Sequence, residues 1–271
     1  MRYSEATLEP EIVSRWMSPD PLADERVWVN PYNFVQNNPI IRIDPSGLLD
    51  TYGVNESGDI VWLDDTTYYD ENNNEVDRLY AVDENNNIVE SNSEQEYATA
   101  RVEKDGDSFL KDLASDNTGS DYGVTSSLRD ALDVFKFASD NSKVEFGVQG
   151  YKLDNGDFSY VVGTSRSDNY AFNGYHLGLS GGYTIENLQF DLHSHTRQAG
   201  ASGYNRKTFT GDRKRQYGHH TKLGKSGKNL SLHYYIYHTP SSRLYRYGPL
   251  KGDEHLGTIK KPNDFVEKTK N

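Results

Sequence analysis

The chain has 271 residues, which is room for one or two domains. It contains no cysteine, so disulfide bridges, thiolate zinc sites and a catalytic cysteine are excluded. The net charge of −12 is unevenly spread along the chain. Residues 1–190 hold 35 acidic and 13 basic residues, whereas residues 191–271 hold 16 basic and 6 acidic residues. This distribution indicates either two functional zones or an amino-terminal part whose acidic surface is simply solvated.

The amino terminus lacks the features of an export signal. Residues Met1–Glu5 have neither the basic start nor the apolar stretch of a signal peptide. No apolar run approaches the roughly 18 residues that a membrane-spanning helix needs. We therefore expect a soluble chain without a signal peptide, and no membrane among its partners.

Residues 11–49 are dense in proline, asparagine and aspartate. Four segments carry this composition: Ser18-Pro19-Asp20-Pro21-Leu22, Asn30-Pro31-Tyr32-Asn33-Phe34-Val35, Asn37-Asn38-Pro39 and Asp44-Pro45-Ser46-Gly47-Leu48. The spacing predicts short extended pieces joined by turns, not helices. About 40 residues of this kind cannot bury a core alone, which indicates the edge of a larger structure.

This run resembles the end of the core domain of RHS/YD-repeat proteins over nearly all of residues 15–48. The resemblance implies that the core of a β-shell ends at residue 48 and that a variable carboxyl-terminal toxin follows, released by self-cleavage close to this junction. It also implies delivery into a target cell by the RHS core and a secretion apparatus, of the type VI or contact-dependent kind. A cognate immunity protein is then an expected partner.

Residues 49–120 are predicted to form a β-hairpin-rich spacer. Short β-type runs, 59–63 and 78–82, alternate with turn clusters. The segments 70–74 and 83–87 repeat one turn chemistry 13 residues apart, which predicts two or three successive hairpins. The expected role of this stretch is that of a spacer or of a module that packs against the shell.

Residues 121–271 are predicted to form an α+β domain, in which a helix precedes the first strand of a mixed β-sheet. The helix is predicted over 125–139, with Thr125 or Ser126 as its N-cap and Leu128, Leu132 and Phe135 on one face. Four strands are predicted, at 144–152, 158–164, 188–193 and 230–237. Loops at 165–182 and 197–228 are expected to shape a cleft.

The predicted strand at 188 ends in His193-Ser194-His195. Side chains two apart on a strand point to the same side, so both imidazoles can face one zinc ion. Catalytic zinc takes three protein ligands and a water. Asp212 is the only acid between residues 201 and 220, and it is the candidate third ligand. Glu145, at the start of an otherwise apolar strand, is the candidate base for the water.

This order resembles the JAB/MPN (JAMM) metalloprotease family, and more narrowly the JAB-like toxin domains attached to RHS proteins, over residues 125–250. His193 and His195 match the paired ligands of that family, and Glu145 matches its catalytic glutamate. The resemblance implies a mixed sheet with a flanking helix, layered like cytidine deaminases. It also implies a zinc-dependent peptidase or isopeptidase that cleaves a protein of the target cell in competition between bacteria.

The sequence departs from the family pattern after the histidines. Thr196 replaces the usual proline, and Asn205, a poor zinc ligand, stands where the family has its aspartate relative to Ser202. We therefore assign the third ligand to Asp212, across a longer loop. Three hydroxyls are candidates for stabilising an oxyanion: Ser202, Thr208 and Thr210.

Two other functions fit parts of the sequence. Gly218-His219-His220, with Asn229 and His233 downstream, resembles HNH-type nuclease toxins, and the basic end suits phosphate binding. Against this reading, the segment after His220 is predicted to be a loop and a strand where that unit needs a helix. A non-enzymatic binding domain is the third alternative. We expect a protein substrate in preference to nucleic acid.

Overall fold

In a computed structural model of the protein, the residues described here are 50–103, 107–114, 121–168, 179–202, 211–226, 232–248 and 253–269. The predicted end of an RHS core, residues 1–48, lies outside these ranges, as do Asn205, Thr208, Thr210 and Asn229. Among the helices in these ranges, none is both long and apolar enough to cross a bilayer.

The first sheet contains five strands: β1 (Thr51–Val54), β2 (Ile60–Asp64), β3 (Tyr68–Tyr69), β4 (Glu75–Ala81) and β5 (Tyr97–Arg101). Strand β4 lies at its centre, pairing with β1 in parallel and with β3 and β5 in antiparallel fashion. A short helix, α1 (Leu110–Ala114), follows this sheet in the chain.

Two exposed turns at 70–74 and 83–87 have the same construction, which confirms the turn repeat predicted from the sequence. In each, the first aspartate accepts backbone hydrogen bonds from the residues two and four positions later, at 2.8 and 2.9 Å. The fourth residue, Asn73 or Asn86, has a φ of 61° or 62°. Asparagine tolerates this left-handed conformation better than most residues, because its short polar side chain bonds locally.

The second sheet contains seven strands in the order β12-β11-β10-β9-β7-β8-β6. Their bounds are β6 (Asp121–Thr125), β7 (Phe146–Lys152), β8 (Phe158–Thr164), β9 (Leu188–His195), β10 (His233–His238), β11 (Arg243–Tyr247) and β12 (Glu254–Thr258). Strands β9 and β10 are parallel and the other pairs are antiparallel, so the sheet is mixed as predicted. The four predicted strands correspond to β7, β8, β9 and β10, and β9 continues through His195.

Three longer helices accompany this sheet: α2 (Leu128–Asn141), α3 (Gly211–Ser226) and α4 (Pro262–Thr269). The predicted N-cap of α2 is wrong, because Thr125 is still paired with Tyr160 as the last residue of β6. Ser127 is the N-cap, and its side chain accepts a hydrogen bond from the backbone N–H of Asp130. Strand β6 therefore precedes the helix that was expected to come first.

Helix α2 lies between the two sheets and is buried against both. Phe135 and Phe137 are fully buried, in a cluster that includes Leu79 of the first sheet and Val148 of the second. On the side of the first sheet, the carboxylate of Asp133 accepts hydrogen bonds from the backbone and side chain of Thr99 in β5. Burying each phenylalanine stabilises this arrangement by roughly 1.5–3 kcal/mol.

Helix α3 occupies residues 211–226, where the sequence predicted a loop, and the loop prediction is wrong there. Its residues facing the sheet are polar, so the apolar spacing that predicts a helix does not occur. Helix α3 connects the parallel strands β9 and β10, a crossover that parallel pairing requires. The described elements thus form an α+β protein with α2 on one face of the large sheet and α3 on the other.

Candidate metal centre

His193 and His195 lie at the carboxyl end of β9, in the middle of the large sheet. Their side chains share the face that α3 covers, whereas Leu192 packs into the core around α2. The two Nε2 atoms are 3.2 Å apart, and the side chains are 0% and 4% exposed. Between them, the hydroxyl of Ser194 accepts a hydrogen bond from the backbone N–H of Phe146 at 2.9 Å, which fixes this end of β9 against β7.

Asp212 comes from the first turn of α3 and completes a group of three possible ligands. Its Oδ1 lies 3.3 Å from His193 Nε2, and its Oδ2 lies 3.4 Å from His195 Nε2. Among the described residues, no other group of three histidine or acidic side chains is arranged to hold a metal ion.

The spacing of the donor atoms fits a tetrahedral zinc site. Zinc bonds of about 2.0–2.1 Å place neighbouring tetrahedral ligands about 3.3–3.4 Å apart. The two imidazole nitrogens are 3.2 Å apart, close to that separation, and each lies 3.3 or 3.4 Å from a different oxygen of the Asp212 carboxylate. Two imidazole nitrogens and one carboxylate are also donors that zinc accepts in catalytic sites, where a fourth position stays open for water.

Ser202 fixes Asp212 across the intervening residues 203–210. Its backbone N–H donates to Asp212 Oδ2 at 2.7 Å, and its hydroxyl accepts from the backbone N–H of Asp212 at 3.1 Å. Gly211 makes this close approach possible, because it has a φ of 52° and an added Cβ would lie 2.0 Å from the Ser202 hydroxyl. The first turn of α3 is thereby held in one place relative to the histidines.

Glu145 immediately precedes β7 and lies just outside the group of three ligands. Its Oε1 is 3.9 Å from His195 Nε2, and the residue is 6% exposed. Its backbone N–H donates to the carbonyl of Ser167, and its carbonyl accepts from the Thr164 hydroxyl. The structure therefore brings together all four residues that were selected from the sequence.

The charges of the site favour an ionised aspartate and a basic glutamate. Burial acts to raise the pKa of Asp212, but the neighbouring His193 and His195 outweigh it and hold that pKa well below its usual range. Burial likewise raises the pKa of the Glu145 carboxyl, and the two imidazoles offset this only in part. Burial acts to lower the pKa of His195, yet its contact with Asp212 raises it overall.

Further residues support the ring nitrogens that point away from the donor group, and the sequence reading missed them. The Nδ1 of His195 bonds to the carbonyl of Gln198 at 3.2 Å. The Nδ1 of His193 faces Asp191, whose Oδ1 is 4.0 Å away. Strand alternation alone places Asp191 on the face of the histidines, so this residue was detectable from the sequence.

The histidines of the nuclease alternative lie elsewhere. His219 lies on the side of α3 that faces the sheet, where it is buried and its Nδ1 bonds to the hydroxyl of Tyr234 at 2.8 Å. His233 is exposed on β10, and the side chain of His220 lies outside the described part of the structure. Neither His219 nor His233 belongs to the group of possible metal ligands found among the described residues.

Residues 123–217, about a third of the chain, match the family model of JAB-like toxin 1. The matched segment runs from β6 into α3 and contains Glu145, His193, His195 and Asp212. No curated protein and no solved structure matches the chain. The match supports a JAB-like toxin domain, and with the group of three possible ligands it is consistent with a hydrolase.

Proposed function

We propose that this protein is a secreted bacterial toxin whose large sheet carries a zinc-dependent peptidase or isopeptidase. The observation that carries the proposal is the triangle of His193, His195 and Asp212, with Glu145 beside it, inside the segment that matches JAB-like toxins. The substrate would be a protein of the target cell.

In this mechanism, His193, His195 and Asp212 hold the metal. Zinc, when bound, supplies a water whose pKa is lowered to about 7 and polarises the scissile carbonyl. Glu145 accepts a proton from the water while the oxygen of the water attacks the carbonyl carbon. Glu145 then delivers that proton to the amide nitrogen as the carbon–nitrogen bond breaks.

Of the three candidate hydroxyls, that of Ser202 lies within the described residues, and we assign oxyanion stabilisation to it. Its oxygen accepts the N–H of Asp212, so its own proton remains available as a donor. Because it contacts Asp212 on two sides, it is tied to the metal ligands. Thr208 and Thr210 lie outside the described residues.

The route to the target cell follows from the resemblance of residues 15–48 to an RHS core end. On that basis we propose delivery by an RHS core and a secretion apparatus, and a cognate immunity protein in the producing cell. The basic composition of residues 191–271 suits an acidic immunity protein or substrate.

Metal content and a single substitution test the proposal. We expect one zinc per chain, and we expect Glu145→Gln to keep the zinc but lose toxicity and proteolysis by about 10²-fold or more, because the proton acceptor is gone. Glu186→Gln, which removes an exposed carboxylate, is the control and should stay fully active.

Two results would contradict the proposal. Toxicity that survives in zinc-loaded Glu145→Gln would remove the glutamate from the mechanism. Nucleic acid cut by the purified wild type, with cellular proteins left intact, would favour the nuclease. A proteomic comparison of cells that receive the wild type or Glu145→Gln would identify the substrate.

A further inference from the structure

Asp191 is a buried carboxylate next to the candidate metal centre that the proposed mechanism does not use. It lies two residues before His193 on β9 and is 1% exposed. A carboxylate buried this deeply costs several kcal/mol unless it is paired and hydrogen-bonded. Its contacts therefore indicate what it does.

The two carboxylate oxygens of Asp191 point at different parts of the site. The Oδ1 faces His193 Nδ1 at 4.0 Å. The Oδ2 pairs with Arg215 Nη2 at 2.7 Å and accepts a hydrogen bond from Gln149 Nε2 at 3.2 Å. One side chain thus lies between a ligand histidine and an arginine of α3.

Arg215 lies one helical turn after Asp212, so its ion pair joins the strand that carries two ligands to the helix that carries the third. Further polar contacts also hold α3 on the sheet. Gln216 donates to the carbonyl of Tyr247 at 3.2 Å, and His219 bonds to Tyr234. Since these contacts are polar, the place of Asp212 depends on hydrogen bonds and charge more than on apolar packing.

The two ligand histidines differ on their far sides. His195 Nδ1 has the carbonyl of Gln198, whereas His193 Nδ1 is buried without a hydrogen-bond partner among the described residues. A histidine that binds a metal through Nε2 normally donates its Nδ1–H to a carboxylate, a carbonyl or water, which fixes the ring and raises its basicity. Asp191 is the carboxylate on that side of His193, with its Oδ1 4.0 Å from Nδ1, which is an ion-pair distance and longer than a direct hydrogen bond.

We infer that Asp191 is a positioning residue of the metal site, which sets zinc affinity by orienting His193 with one oxygen and by holding Asp212 through Arg215 with the other. This inference rests on the metal site of the proposed function. It concerns affinity and not the reaction, so it can be tested without a substrate.

Zinc affinity of the full chain, measured by competition with a coloured chelator, tests the inference. Asp191→Asn should raise the Kd for zinc by about 10–100-fold, the usual effect of removing such a partner. The absorption spectrum of bound Co²⁺ should also change, because a freed imidazole and a displaced carboxylate alter the ligand geometry. If the role of Asp191 were purely structural, Asp191→Asn would lower the stability of the protein and leave the Kd for zinc and the Co²⁺ spectrum unchanged.

Asp140→Asn is the matched control. Asp140 is also a carboxylate paired with a buried cation, since its half-buried side chain lies 2.6 Å from the Nζ of Lys136. It lies on α2, on the opposite face of the sheet from the metal site, and binds the hydroxyl of Tyr237. This variant should lose stability while its zinc affinity and Co²⁺ spectrum match those of the wild type.

Arg215→Gln provides a second route if Asp191→Asn does not fold. It should also weaken zinc binding, and the double variant should be affected by less than the sum of the two single effects, because both remove one ion pair. Wild-type zinc affinity in the folded variants would overturn the inference and leave the proposed function standing. Absence of zinc binding in the wild type itself would overturn both.

Discussion

The positions of the candidate ligands could be predicted from the sequence because they depend on short-range geometry. Alternation along β9 places His193 and His195 on one face whatever the rest of the fold does. Asp212 could be selected because it is the only acid between residues 201 and 220. The double contact between Ser202 and Asp212 could not be predicted, because it spans ten positions and depends on how the chain returns to the sheet.

Removing a ligand should release the metal without unfolding the protein. We expect His193→Ala to lose its zinc, as measured by metal analysis of the purified chain, while its far-ultraviolet circular dichroism stays native. His219→Ala removes a buried histidine that bonds to Tyr234 and is not among the possible metal ligands, so it should keep the zinc. The opposite pattern of retention would support the nuclease assignment.

At the scale of elements, strands were predicted well and α3 was not. Strands β7 to β10 have apolar or alternating sequences, which local reading detects. Helix α3 turns four polar side chains towards the sheet: Asp212, Arg215, Gln216 and His219. A segment that docks through polar contacts carries no apolar periodicity, so its helical state follows only from the tertiary structure.

Two glycines of α3 should respond to alanine with opposite signs. Gly211→Ala should destabilise the protein and weaken zinc binding, because the backbone has a positive φ and the new Cβ meets Ser202 at 2.0 Å. Gly218→Ala meets nothing within 4 Å inside the helix, so it should stabilise the protein by up to about 1 kcal/mol. Thermal unfolding measures both. Equal effects of the two substitutions would contradict the described start of α3.

The buried Asp77 of β4 should make stability depend on pH. Burial raises its pKa to about 7, and the charge of Asp50 adds to this, although hydrogen bonds from Ser108 oppose it. Between the unfolded pKa of about 4 and pH 7, the folded state holds a proton that the unfolded state has lost, so stability falls as pH rises. Asp77→Asn removes the titrating group and with it this loss of stability at higher pH. Its Tm relative to the wild type should therefore be higher at pH 8 than at pH 5, and a constant difference would contradict the shift.

For the whole molecule, the first sheet and the large sheet are coupled through α2. Asp133 binds Thr99, and Asn141 of α2 accepts the backbone N–H of Asn92 at 2.7 Å. The sequence could not predict these two hydrogen bonds, because each joins residues that are far apart in the chain, by 34 and 49 positions respectively. Local sequence patterns predict the hairpins of the first sheet, but they do not predict which face of α2 this sheet packs against.

A fragment that begins at residue 121 should therefore be compromised. It would expose the side of α2 that packs against Ala98 and Ala100 of β5, both fully buried in the complete protein. We expect it to bind a dye specific for apolar surface and to melt at a lower temperature than the full chain. A fragment as stable and as soluble as the full chain would show that the first sheet is dispensable for the fold.

The basic character of the last third is only partly a surface property. Arg213 is 3% exposed and bonds to Asp253 and to the carbonyl of Gly248. Arg215 is paired with Asp191. Charge counted from the sequence overstates what a partner would meet, because pairing inside the fold cannot be seen in composition.

The exposed turn at 70–74 has a practical consequence. Asn72 lies at its tip, exposed, on the small sheet and not among the residues of the metal centre. Because the natural chain has no cysteine, Asn72→Cys would introduce its sole thiol. A fluorophore coupled there would label every molecule once, so that the proposed passage of the protein into a recipient cell could be tested without a fused reporter.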